Sequence, residues 1–316
     1  MSEKVGLLFV GGAPRSGTTL VQRVLNSHPE IYGGPEFDFI SDLMDLHYRM
    51  QNSVGIGRIS EYFDSNQLNT HFEHFIKGIF EDKAMSEGVS VISEKTPRNA
   101  IHFEEILNLF SDSKVVFVVR DPRAIYNSMK KVRNRTKKID KTKTGPINPS
   151  HFIGSLYSAA GYIQKCFDNG SNVARKYPER VLVVKYEELV DHPERETKKL
   201  AEFLGLSWVE DMMNPNSQKF DNPRSGESNN PWYSKEKRNR NIEKSDKTKW
   251  KDQLSSFEKK YINRRLNKYL NEYSYEIENE LKFINSYIYE SLIKGYIITY
   301  DVAKVLYAHF IKKNDQ

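Results

Sequence analysis

The chain has 316 residues, of which 38% are hydrophobic and 28% charged. This composition supports a buried core and excludes the disordered and collagen-like classes of protein. Cys166 is the only cysteine, which excludes an intrachain disulfide and therefore a disulfide-stapled secreted fold. The apolar run near the start is too short for a signal peptide, and no later stretch spans a bilayer, so we expect a cytoplasmic protein without a transmembrane segment.

The net charge of +6 is concentrated in two basic stretches. Residues 130–143 carry eight Lys or Arg against one acid, and residues 235–251 carry eight against three acids. A basic protein can bind nucleic acid through such stretches, but neither one alternates basic with aromatic residues as base stacking requires. We therefore expect no nucleic-acid partner, and a noncatalytic module that binds polyanions stays as an alternative.

Apolar runs and helical spacing alternate along the chain. Four runs predict buried strands: Val5–Val10, Val89–Ser93, Lys114–Val119 and Val181–Val184. The intervening and following patterns predict helices: Thr18–Asn26, residues 61–86, Ala100–Phe110, a helix from Asp121-Pro122, Pro193–Leu204, and helical structure from Phe257 to the end. Strands separated by helices predict an α/β fold in three layers, with a central, mainly parallel sheet flanked by helices.

Two regions fall outside this alternation. Residues 134–149 and 214–248 are polar and basic and are predicted to be long loops. We place one domain at residues 1–275 and a helical C-terminal extension at residues 276–316. An apolar stripe in this extension, which includes Phe283 and Ile288, predicts a surface for a possible homodimer.

A glycine-rich segment, GAPRSGTT at residues 12–19, lies between the first strand and the first helix. Backbone N–H groups and the helix dipole favour an anion at this position. The spacing matches the phosphate loop of nucleoside triphosphatases except that Thr18 replaces its lysine. A single phosphate group fits the remaining donors, with Arg15 and the Thr18 and Thr19 hydroxyls added. A nucleotide kinase-like phosphotransferase and a plain connecting turn are the alternatives.

The segment PRSGTTLVQRVLNSHPEIYGGPE, residues 14–36, closely resembles the 5′-phosphosulfate-binding segment of sulfotransferases that use 3′-phosphoadenosine 5′-phosphosulfate (PAPS). The tyrosylprotein sulfotransferase branch and its bacterial relatives are the most similar. The segment from Arg120 to Ser128 resembles the 3′-phosphate-binding segment of that family, and the resemblance extends over about residues 5–255. It implies a P-loop-type fold, PAPS as co-substrate and adenosine 3′,5′-bisphosphate (PAP) as product.

The resemblance also implies the roles of individual residues. Glu36 is in the register of the general base, and Arg15 and Lys95 would stabilise the leaving phosphate without a metal ion. Nucleotide-binding residues implied by the resemblance are Arg15, Ser16, Gly17, Thr18, Thr19, Arg120, Ser128, Tyr186 and Lys249.

Simpler interpretations stay open for three of these residues. Glu36 is also compatible with the acidic start of a helix, Lys95 with a surface ion pair to Glu94, and Tyr186 with a core position. The acceptor is open as well, because the segment of residues 37–87, expected to shape the acceptor side, matches no known pattern. A small-molecule, saccharide, lipid-linked or peptide hydroxyl fits the sequence equally well.

Overall fold

A computed structural model describes residues 5–138, 151–215 and 247–277, together with the isolated residues 242 and 295. In this part of the chain, five strands form one sheet in the order β2-β3-β1-β4-β5, and every pairing is parallel. The strands are β1 Gly6–Gly12, β2 Ile31–Gly33, β3 Val91–Lys95, β4 Lys114–Val119 and β5 Val181–Lys185.

The described helices connect these strands and follow the last of them. They are α1 Thr18–Asn26, α2 Ile40–Gly55, α3 Ser65–Glu87, α4 Phe103–Leu109, α5 Pro122–Lys138, α6 Leu156–Lys176, α7 Tyr186–Asp191, α8 Pro193–Leu204, α9 Lys249–Gln253, α10 Ser256–Arg265 and α11 Asn267–Glu272. Short 3-10 helices occupy Pro97–Ile101, His151–Ile153 and Glu210–Met213.

The two faces of the sheet bury different side chains because successive residues of a strand point to opposite sides. Val10, Val116 and Val184 belong to an aliphatic cluster with residues of α1, α7 and α8. The opposite face is aromatic: Phe9 stacks on Phe110 with ring centroids 5.5 Å apart, and Phe117 contacts Phe103 and Phe167 at 6.0 and 5.9 Å. This layering confirms the predicted three-layer α/β fold.

The sequence predicted some elements to the residue and missed others. The bounds of α1, β4 and α8 are as predicted, whereas β2 and α2 were not predicted, and α6 was expected only as a helical context around Cys166, without bounds. One loop prediction is partly wrong, because α5 continues to Lys138 and makes residues 134–138 helical. Their helical conformation continues the amphipathic pattern that buries Val132.

The chain divides after Tyr273, and the sheet lies in the first unit. Three predictions fall largely on residues outside the described ranges and therefore stay predictions. They are the domain boundary at residue 275, the C-terminal extension with its dimer surface, and most of the loop at residues 214–248. No helix of the described residues is long and apolar enough to cross a membrane. Cys166 is fully buried on α6, and burial raises the pKa of its thiol, as expected for an unreactive cysteine.

Candidate active site

The candidate site lies at the carboxyl edge of the sheet, where the connections that leave β1 and β4 diverge. The chain leaves β1 through α1 toward β2 on one side, and leaves β4 through α5 toward β5 on the other side. Open parallel sheets bind ligands at such a switch point. The segment 12–19 and the start of α5 therefore border the same crevice.

The segment 12–19 forms a tight turn before α1. The Ser16 N–H donates to the Ala13 carbonyl at 2.9 Å, and Arg15 and Gly17 adopt φ angles of 78° and 111°. No side chain caps helix α1, and the first N–H groups of such a helix are suited to binding an anion. The buried Ser16 hydroxyl has no hydrogen-bond partner in the structure. These donors fit a bound phosphate group.

Residues predicted to bind the two ends of the nucleotide meet beside this turn. Arg15 Nε donates to Ser128 Oγ at 3.1 Å, and Arg120 Nη1 donates to the Arg15 carbonyl at 3.3 Å. The Arg120 guanidinium lies 4.2 Å from the centre of the Tyr186 ring. Arg120 Nε is buried, and none of the described residues accepts a hydrogen bond from it. Tyr186 is therefore half-buried beside Arg120 and is not a core aromatic residue.

Lys249 is the first residue of α9, and its side chain is exposed. The next residue, Trp250, is buried against Arg123 with the guanidinium 4.0 Å from the ring centre. Arg123 also forms a bidentate ion pair with Asp121, in which Nε donates to Oδ1 and Nη2 donates to Oδ2, both at 2.9 Å. The contact between Trp250 and Arg123 packs α9 against α5. The nucleotide-binding role of Lys249 stays a prediction.

Glu36 and Lys95 form an ion pair at the same edge of the sheet, with Lys95 Nζ donating to Glu36 Oε1. Lys95 ends β3 in register with Val10 of β1, and its side chain is only 2% exposed. Two of the simpler interpretations are therefore wrong. The structure pairs Lys95 with Glu36 and buries it, and α2 begins at Ile40, after Glu36.

Buried amides that the sequence analysis missed hold the backbone before Glu36. Gln22 and Ser93 exchange two hydrogen bonds of 2.7 Å, and Asn26 Oδ1 accepts the Gly33 N–H at 2.9 Å. Both amides lie on α1, where polar residues one turn apart on a buried face were the available signal. They join α1 to β2 and β3 on the approach to the Glu36 segment.

Three of the described histidines were considered for a role in the site. His28 Nε2 donates to the Ser207 carbonyl at 2.8 Å, a tautomer fixed because its Nδ1 accepts the Glu30 N–H at 3.2 Å. His71 and His74 are exposed on α3. Within residues 5–138, 151–215 and 247–277, no group of three His, Cys, Asp or Glu side chains is arranged to hold a metal ion.

A family model described as "Sulfotransferase family" matches residues 8–210, which include most of β1 and the whole of the cluster around Arg15. The chain belongs to the sulfotransferase family. The matched residues include Arg15, Glu36 and Lys95, whereas Lys249 lies outside them.

Several curated relatives of the chain are protein-tyrosine sulfotransferases. Protein-tyrosine sulfotransferase A of Caenorhabditis elegans is 30% identical over 207 residues, covering 64% of this chain and 50% of that protein. Protein-tyrosine sulfotransferase 2 of Gallus gallus is 29% identical over 216 residues, covering 67% of this chain and 54% of that protein. The chain thus spans about half the length of these relatives.

Solved structures support the fold. The sulfotransferase domain from the curacin biosynthetic pathway superposes with a TM-score of 0.58 at 21% identity, covering 88% of this chain and 100% of that one. The sulfotransferase domain of the Synechococcus PCC 7002 olefin synthase gives a TM-score of 0.56 at 17% identity, covering 88% of this chain and 98% of that one. At these identities the likeness concerns the fold alone.

Proposed function

We propose that this protein transfers the sulfuryl group of PAPS to an acceptor hydroxyl. The observation that carries the proposal is the Glu36–Lys95 pair at the edge of the sheet that also presents the phosphate turn. Sulfuryl transfer requires two groups: a carboxylate that can take a proton from the acceptor, and a cation that stabilises the negative charge on the leaving phosphate oxygen. Membership in the sulfotransferase family supports the same reaction.

The residues divide the reaction between them. Glu36 takes the proton of the acceptor hydroxyl while the acceptor oxygen forms a bond to sulfur. The bond from sulfur to the 5′-phosphate oxygen breaks at the same time. Lys95 and Arg15 stabilise the charge that develops on the departing phosphate. Ser16, Gly17, Thr18 and Thr19 hold the 5′ end, while Arg120, Ser128, Tyr186 and Lys249 hold the remainder of the nucleotide.

A tyrosine-containing peptide is the acceptor that we favour. The curated relatives are protein-tyrosine sulfotransferases, and helices α2 and α3 follow Glu36 directly. Among the described residues, these helices and their flanks carry most of the exposed large apolar side chains, a surface suited to an aromatic acceptor. They are Phe39, Leu46, Tyr48, Ile56, Tyr62, Phe75, Ile79 and Met85.

Labelled PAPS with a panel of acceptors tests the proposal: tyrosyl peptides, saccharides, lipid-linked hydroxyls and small phenols. We expect transfer with the peptides above the other classes. Thermal stabilisation by PAP but not by ATP is also expected, because Thr18 stands where a nucleoside triphosphatase has its lysine. Stabilisation by ATP alone would favour the phosphotransferase, and salt-sensitive polyanion binding without transfer would favour the noncatalytic module.

Gly17→Ala is expected to weaken PAP binding. A Cβ on Gly17 would lie 2.4 Å from Tyr186 Cδ2, and its φ of 111° strains any residue with a side chain. Gly88→Ala is the matched control, because Gly88 has a φ of 65° and open space around it. Calorimetry should show PAP affinity reduced about tenfold or more in the Gly17 variant. Equal affinity in both variants would contradict the close packing of Tyr186 on the turn.

Ser128→Ala is expected to raise the KM for PAPS about tenfold while kcat changes less than about twofold. The hydroxyl bonds Arg15 and would contact the nucleotide equally in ground and transition states, so its loss weakens binding uniformly. Initial rates against PAPS concentration measure the split. Ser171→Ala, which removes a buried hydroxyl bonded to Tyr273 on another part of the fold, should leave the KM unchanged.

A further inference from the structure

Glu94 is a buried carboxylate that the proposed mechanism does not use. It precedes Lys95 on β3, and only 4% of the residue is exposed. Burial raises the pKa of this carboxyl despite its hydrogen bonds. An acid in such a position is costly unless its oxygens are satisfied, which directs attention to the groups that it binds.

The Glu94 carboxylate accepts hydrogen bonds from both sides of the site. Oε1 accepts the Phe37 N–H at 3.2 Å and the Thr96 hydroxyl at 2.7 Å, and Oε2 accepts the Asn99 amide at 2.5 Å. Thr96 Oγ1 in turn accepts the Asp38 N–H at 3.3 Å. The two backbone N–H groups that follow Glu36 are therefore both held by the Glu94–Thr96 pair.

The segment that carries Glu36 depends on such contacts. Residues 34–39 belong to no strand or helix, so no ladder of backbone hydrogen bonds fixes them. Asp38 has a φ of 65°, a conformation that residues with a side chain rarely adopt. Such a backbone persists where its surroundings determine it, and the Glu94–Thr96 pair accepts the N–H groups of two consecutive peptides, Glu36–Phe37 and Phe37–Asp38.

We propose that Glu94, acting through its bonds to Phe37 and Thr96, is a positioning residue that holds Glu36 in place for proton abstraction. The proposal rests on the proposed sulfuryl transfer. Lys95 binds the Glu36 side chain from one position of β3, while Glu94 fixes the backbone after it from the preceding position. Displacing a catalytic group by about 1 Å costs on the order of a hundredfold in rate, so the anchor affects turnover rather than nucleotide binding.

Four variants test the anchor, each measured for kcat, PAP affinity and amide exchange of the peptide spanning residues 34–39. Glu94→Met removes both acceptor oxygens at similar volume, and Thr96→Val removes the hydroxyl. Glu94→Gln is the conservative variant, because its remaining oxygen can serve Phe37 and Thr96 while the Asn99 amide turns. Glu196→Gln, at another buried carboxylate on α8, is the matched control.

We expect Glu94→Met to lower kcat about a hundredfold and Thr96→Val about tenfold, with PAP affinity within about twofold of the unaltered chain. Exchange at residues 34–39 should accelerate about tenfold in both variants. Glu94→Gln should recover kcat to within about tenfold, and Glu196→Gln should match the unaltered chain in all three measurements. If Glu94→Met does not fold, Thr96→Val alone decides.

Unchanged kcat and exchange in Thr96→Val would overturn the proposal, as would a fall in kcat matched by an equal fall in PAP affinity. These outcomes leave the proposed function standing. An unaltered chain that binds PAP but transfers no sulfuryl group to any acceptor would instead refute the proposed function. The exchange comparison would then still show whether Glu94 fixes the segment.

Discussion

Glu36→Gln is expected to lower kcat by about 10²- to 10⁴-fold, the contribution typical of a general base. Glutamine keeps the shape of the side chain but cannot accept the acceptor proton. Glutamine also keeps an oxygen that can accept a hydrogen bond from the buried Lys95 ammonium. Alanine in place of Glu36 would instead remove the carboxylate partner that Lys95 has in the structure. Transfer from labelled PAPS at saturating acceptor measures the effect, while PAP affinity is expected to stay within about threefold, since the proposed role of Glu36 is toward the acceptor and not the nucleotide.

Glu30→Gln provides the control for Glu36→Gln. Glu30 is an exposed carboxylate six residues earlier, before β2, and its substitution should leave kcat unchanged. Turnover of Glu36→Gln at more than about a tenth of the unaltered rate would assign the base to another group.

Lys95→Met is expected to lower kcat by about 10²- to 10³-fold, the loss seen when one group that stabilises a developing oxyanion is removed. Methionine fills a similar volume at this nearly inaccessible position, so packing is conserved while the charge is lost. The fall should be larger in kcat than in PAP affinity, because negative charge on the leaving oxygen grows during transfer. Steady-state rates together with calorimetry of PAP binding separate the two effects.

Lys114→Met is the matched control for Lys95→Met. Lys114 is a half-buried lysine at the start of β4 whose ammonium donates to the Phe203 carbonyl, but it lies at the opposite end of the strand from the candidate site and should not affect kcat. The double variant Glu36→Gln/Lys95→Met should be little slower than the worse single variant, because residues that act as a unit are not additive. Full additivity would indicate that the two side chains act independently, against their pairing in the structure.

The elements predicted correctly share a clear local signal. Thr18–Asn26, Lys114–Val119 and Pro193–Leu204 are bounded by glycine, proline or polar residues and have a regular apolar pattern. Helix α6 lacks that pattern because small residues, among them Ala159, Ala160 and Gly170, fill much of its buried face. Gly170 lies so close that a Cβ would approach the Phe117 ring to 2.4 Å.

Helix α2 and strand β2 were missed for a different reason. Among the residues of α2, only Ile40, Ser41 and Met44 are buried, while apolar residues such as Tyr48 lie exposed, so the hydrophobic pattern is not that of a helix with one buried face. Strand β2 has three residues, Ile31–Gly33, and is too short to show a period. Both elements flank Glu36, where the sequence offered no account of the acceptor side.

The sequence by itself determined the α/β alternation and the phosphate turn at residues 12–19, since these follow from local periodicity and a short motif, and its resemblance to sulfotransferases implied the residues that we assign to the site. Only the tertiary structure decided which of them meet. Arg15 and Ser128 are 113 positions apart, and Glu36 and Lys95 are 59 apart. Their contacts depend on the parallel pairing of β1 with β3 and β4, which brings distant strand ends to one edge. The same long-range pairing buries Lys95 and joins Glu94 to the backbone after Glu36, two features that no local pattern encodes.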